Sequence, residues 1–115
     1  MAASFIGGVP VTLNGTTWVA VVTAPGANKQ RQILSVAPYN ADSAETPHGY
    51  EGRFVKNAVN YPRCSTAPVT PGKAGELVAP GSVVLAATDE SFEVRQTEAT
   101  KTTQSVCFVA IFEVP

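Results

Sequence analysis

The sequence predicts an all-β fold, an antiparallel sandwich or barrel of about eight strands with no substantial helix. Three observations carry that prediction. No window of a dozen residues places apolar side chains at i, i+3, i+4 and i+7 without an interrupting Pro or Gly, so long helices are excluded. The chain holds 16 Val and 12 Thr, β-branched residues that suit a pleated, half-buried surface. Nine Gly and nine Pro punctuate it into short runs. At 115 residues there is room for one core, so residues 1–115 form a single domain.

Reading runs of β-formers between turn residues gives strands at Val9–Leu13, Thr16–Thr23, Gln30–Asn40, Arg53–Asn57, Glu76–Ala79, Ser82–Thr88, Phe92–Thr97 and Ser105–Val114. Asn14-Gly15 is a strong two-residue hairpin signal, because both residues tolerate positive φ, so the first two strands are expected to pair antiparallel. Ala24 to Asn28 and Pro80-Gly81 allow further reversals, and Asp89 to Ser91 marks a tight turn. The third strand has Ile33, Leu34 and Val36 without strict alternation, which predicts a central strand covered on both sides near its middle. In the seventh, Phe92 and Val94 alternate with Glu93 and Arg95, a strand with one solvated face. The last is apolar on both faces, with Phe108, Ala110 and Phe112 on one and Cys107, Val109 and Ile111 on the other. One face builds the core, which leaves the other as a candidate interface.

Between residues 40 and 75 the strand pattern dissolves, apart from Arg53 to Asn57, and the segment reads as a long contact loop. It brings Tyr50, Phe54 and Tyr61 close in sequence to Arg53 and Arg63, residue types enriched at protein interfaces. Residues 1–10, small and apolar around Phe5, read as a candidate N-terminal arm. The interface candidates are therefore Phe5, Tyr50, Arg53, Phe54, Tyr61 and Arg63. A different use of the aromatics, a sugar-stacking platform of Trp18, Tyr50 and Tyr61, would make the chain a carbohydrate-binding module.

Chemistry is harder to find. A single His, His48, is too few for a histidine metal cluster and stands in a loop where exposure is the expectation. Asp89, Glu90 and Glu93 lack the spacing of a calcium loop and read as solvated, and no glycine pattern fits a phosphate cradle. No catalytic residue, metal or cofactor is expected, and the chain is expected not to be an enzyme. Cys64 and Cys107 have no CxxC spacing; Cys107 lies in an apolar run and reads as a small buried hydrophobe. Eight basic against nine acidic side chains give no field for nucleic acid. No apolar run is long enough to span a bilayer, and residues 1–13 lack a basic start, with Gly7, Gly8 and Pro10 breaking the run, so no membrane or secretory signal is expected. Charged residues are only 15%, against roughly 25% in an ordinary soluble domain, which predicts surface covered by neighbours. Their polarity along the chain, positive before residue 74 and negative after it, suits head-to-tail association.

The order of features, an early strand before Ala24-Pro25-Gly26, a central QRQILSVAPYNADSA, a Pro-Gly turn, VVLAATDESFEVRQTEATKTTQ and an apolar last strand, resembles small virion proteins of tailed bacteriophages. It is most similar to capsid decoration (cement) proteins and to neck or tail accessory proteins, over about a third of the chain. The resemblance implies a jelly-roll or related sandwich made in the host cytoplasm and located in the virion. It also implies a homo-oligomer, often a trimer, whose partners are the major capsid protein or other virion proteins. The shell would be stabilised without catalysis.

Overall fold

The computed structural model describes residues 4–13, 15–41, 47–78, 83–97 and 105–114. It is all-β, with eight strands: β1 (Ser4–Thr12), β2 (Val19–Val22), β3 (Gln30–Tyr39), β4 (Tyr50–Lys56), β5 (Val59–Ser65), β6 (Val83–Leu85), β7 (Glu90–Gln96) and β8 (Val106–Val114). Two antiparallel four-stranded sheets have the orders β1-β8-β3-β6 and β2-β7-β4-β5. Hydrogen-bonded neighbours include β1 with β8, β2 with β7, β3 with β6 and β4 with β5. This is one long hairpin, closed at the β4–β5 turn and rolled up until β8 meets β3 and β7 meets β4. Such a rolled hairpin is the jelly-roll arrangement of a β-sandwich.

The tight turn that closes the roll joins Lys56 to Val59 through Asn57 and Ala58, whose φ angles are 51° and 61°. Positive φ at both central residues matches the right-handed twist of the flanking strands. Ala58 carries a Cβ in a conformation that glycine adopts at less cost. The segment 40–75, expected as a loop, therefore holds the central hairpin of the fold. Its strand β4 begins three residues before Arg53, and β5 was not anticipated because it is an edge strand with no buried row.

Other expectations need correction for the same topological reason. Gly15 has the predicted positive φ of 55°, yet β1 and β2 do not pair: the chain crosses there from one sheet to the other. Asn14 and Pro80-Gly81 lie outside the described residues. Residues 1–10, read as an arm, are strand from Ser4 onward, paired along β8 with an extra residue accommodated between Ile6 and Val9. Of the expected strand Glu76–Ala79, residues 76–78 form none, Val78 making a single bridge to Val36, and Ala79 lies outside the described residues. The irregular pattern of β3 has a local cause. Ile33 faces Ile111 and Ser35 faces Ala110, so Leu34 is a bulge that returns Ile33 and Val36 to the same buried face. The strand is central, as expected, but its apolar triplet reflects the bulge more than coverage of both faces.

The core lies between the sheets. Ile33 and Val36 of β3, Cys107, Val109 and Ile111 of β8 and Leu85 of β6 meet Val22, Tyr50, Phe92 and Val94 of the other sheet. Gly52 lets Phe92 fit: a Cβ there would sit 2.7 Å from the ring. At one end a buried polar group ties the sheets together. The Tyr50 hydroxyl lies 2.7 Å from Ser105 Oγ, which donates to Gln96 Oε1, so Tyr50 is the donor to Ser105. His48, expected to be exposed, is buried, with its backbone bridged to Val69. Glu90, expected to be solvated, is also buried: its carboxylate accepts from the Ala86 amide at 2.8 Å and closes the turn before β7.

Two outcomes follow from these contacts. Replacing Ala58 with Gly removes the Cβ from the left-handed conformation and should raise stability by about 0.5–1 kcal/mol, read as a higher urea midpoint with an unchanged slope. The Arg31 Nε–Glu113 bond of 2.7 Å between β3 and β8 holds the Glu113 carboxyl below the usual carboxylate range. Because the folded value is the lower one, the pair's stabilisation is present above the ordinary carboxylate value and is lost as pH falls through the depressed one. Glu113→Gln should thus be less stable than the parent at neutral pH, and the gap should close in acid.

Candidate interaction surfaces

Strand register decides what the outside of the first sheet presents. Because Cys107, Val109 and Ile111 point inward, their alternates on β8 point out, and the pairing aligns neighbours beside them. Phe112 stands between Phe5 of β1 and Gln32 of β3, with Val84 of β6 next in line. Ala110 stands beside Ser35, Phe108 between Pro10 and Ala37, and Val106 between Thr12 and Tyr39. None of these residues is charged. The aromatic rings touch across the strands: Phe5 and Phe112 at 6.1 Å between centroids, Tyr39 and Phe108 at 6.3 Å in an edge-on contact. Phe5 is 64% exposed, Val84 43% and Phe108 40%. Water is displaced from a contiguous uncharged face of this kind at little polar cost, which makes it a candidate docking surface.

The second sheet presents the opposite chemistry. Arg53 faces Glu93 and Glu51 faces Arg95 across β4 and β7, a diagonal of alternating charge. Arg53 places Nε and Nη2 at 2.7 and 2.6 Å from one oxygen of Glu93, and Arg95 bonds Glu51 in the same way. Trp18 lies against both guanidiniums, 4.1 Å from Arg53 Cζ and 4.7 Å from Arg95 Cζ. Half-exposed pairs stabilise by about 0.2–1 kcal/mol each and the cation–π contacts by a similar amount, enough to orient these side chains. Between Trp18 and β5 opens a groove of about 500 Å³, lined by Trp18, Glu51, Arg53 and Arg95 together with Asn60, Pro62, Arg63, Cys64 and Ser65. A second groove of about 300 Å³ lies on the other side of β5, toward β6, against Phe54, Tyr61 and Val83.

The six interface candidates are thereby dispersed. Phe5 belongs to the uncharged face. Arg53 lines the charged groove, Phe54 and Tyr61, 6.2 Å apart, line the second, and Arg63 lines both. Tyr50 has no exposed surface and belongs to the core, so it is not a contact residue. Its burial also takes apart the three-ring platform of Trp18, Tyr50 and Tyr61. Phe108 and Phe112 were legible as the second apolar face of the last strand, whereas Tyr39 and Val84 join that face only through strand pairing. Among the described residues no group of three or more His, Cys, Asp or Glu stands together. Comparison with protein-family models, with curated proteins and with solved structures finds no match to this chain.

Both cysteines are free thiols. Burial pushes Cys107 up to about 12 and also raises Cys64, which is half-buried at the groove. Since the thiolate is the reactive species, a disulfide reagent at pH 8 should leave Cys107 unmodified in the native protein. Cys64 should react more slowly than free cysteine, at a rate rising with pH, and denaturant should expose both.

Proposed function

We propose that this protein is a structural virion subunit, a capsid decoration protein that binds the outside of a phage head and stabilises it without catalysis. The uncharged outer face of β1-β8-β3-β6 carries the reading, because a low-charge domain with exposed Phe5, Val84 and Phe108 is built to have that face covered. The jelly-roll arrangement is compatible, since such sandwiches recur in viral shells, although one fold hosts many functions. The partner is the major capsid protein, with the chain itself as a homo-oligomer, a trimer by the resemblance of its sequence. Covering one exposed Phe contributes about 1.5–3 kcal/mol, so a few such residues repeated in an oligomer hold a subunit on a lattice.

The test is retention on purified shells. The parent protein should co-sediment with empty heads in proportion to the major capsid protein and raise their melting temperature. Phe108→Glu, which places a charge on the exposed face while leaving the buried row of β8 intact, should weaken that binding at least about a hundredfold while keeping the monomer folded. A protein indifferent to shells sinks the reading, and a low fixed copy number on intact particles moves it to the neck or tail.

A further inference from the structure

The uncharged face of β1-β8-β3-β6 has a relief as well as a composition. Along the outward row of β8, Phe112 and Phe108 stand on either side of Ala110, and Ser35 of β3 lies beside that alanine. Two aromatic ridges therefore flank a trough of small side chains. Each ridge has an aromatic neighbour on an adjoining strand, Phe5 for Phe112 and Tyr39 for Phe108. Beyond Phe108 the row continues with Val106, which is smaller than either ridge.

Stacked sheets pack about 10 Å apart with strand directions within about 30° of each other. When a second copy is laid face to face about a twofold axis crossing β8 at Val109, positions equally distant from Val109 meet. Phe108 of each copy then enters the trough at Ala110 of the other, and Phe112 meets Val106. Ridge meets trough at every symmetry-related contact, and no charged side chain is buried on either side. A foreign partner would have to supply both this relief and this lack of charge. A second copy brings both. Size points the same way. With strands about 4.8 Å apart and residues rising about 3.3 Å, the face covers about 500 Å², so two copies bury about 1,000 Å² in total. That reaches the size of a specific contact and stays well below the roughly 2,000 Å² or more of a permanent one.

We propose that, free in solution, the protein closes this face on a second copy in a reversible twofold dimer. The second copy masks the face and comes off before the face meets anything else. Its use as a mask for shell docking rests on the function proposed above, whereas the dimer itself does not. Sedimentation equilibrium of the full chain reads the association directly. The parent should pass from monomer to dimer with a midpoint in the micromolar range, and dilution should shift amide resonances of β1, β8, β3 and β6 only. Sodium chloride should leave the midpoint unchanged, because no ion pair takes part. Phe108→Glu and Ala110→Lys should each weaken the dimer at least about a hundredfold. Both side chains point outward, so circular dichroism of the variants should match the parent. Mixing the two variants should recover about tenfold of the loss, since the register sets position 108 of one copy against position 110 of the other. Should either variant fail to fold, the parent's dilution shifts decide alone. A parent still monomeric at millimolar concentration, a trimer or larger species, a dimer weakened by sodium chloride, dilution shifts outside this sheet, or a mixture no tighter than its components each overturns the proposal. Loading of purified shells is scored separately. Above the dimer midpoint its initial rate should rise as the square root of total protein, the law of a monomer released from a dimer, and a linear rise overturns the mask. A monomer that coats shells overturns the dimer alone, and a dimer that ignores shells overturns the shell reading alone.

Discussion

Everything in this fold hangs on one reversal, the two-residue turn at Asn57-Ala58. Because the strands pair outward from it, β4 with β5, then β3 with β6, β2 with β7 and β1 with β8, each successive pairing joins residues farther apart in sequence. Loop-closure entropy rises with that separation, and only the innermost hairpin is local. The outer pairs become affordable once the inner ones have shortened the effective loops. This places the hairpin early in the order of assembly. Nearby contacts hold the turn: the Asn57 amide donates to the Asp89 carbonyl at 3.1 Å, and Lys56 lies 3.6 Å from the buried Glu90 carboxylate. The left-handed Ala58 is a local cost that surrounding structure offsets.

The far end of the roll is closed by different means. Tyr50 opens β4, Gln96 ends β7 and Ser105 precedes β8, so one hydroxyl joins both sheets where no strand pairing links them. Buried hydroxyl and amide groups of this kind are costly when unpaired and specify geometry when paired. The Leu13 amide, bonded to the Ser105 carbonyl at 2.8 Å, brings the end of β1 to the same point. The hydrophobic effect drives the sheets together. This group sets which residues face each other when they meet.

The class of fold was legible because β-branched content and turn residues are local properties, and so were the inward and outward rows of β7 and β8. Pairing was not, because it is a long-range property. Gly15 adopts the expected φ, but the choice of partner for β1 is made by β8 at the other end of the chain. The closing hairpin was missed since its turn has Ala where a glycine is the usual marker, and since β5, with Asn60, Pro62 and Arg63, is too exposed to alternate. For the surfaces, the last strand announced its second apolar face by itself. The charged groove beside β5 needed residues from four separated segments and the second groove from three, which no sequence window contains.

The two outer faces differ in charge, and ionic conditions therefore act on them in opposite directions. Sulfate or phosphate raises the cost of leaving the uncharged Phe108 face exposed to water. The Arg53–Glu93 and Arg95–Glu51 pairs of the other sheet weaken as the screening length shrinks toward a few ångströms. The composition of the medium thus acts on the molecule's two sides differently: a concentrated kosmotropic salt penalises exposure of one sheet face, and dilute buffer preserves the charge pairing of the other.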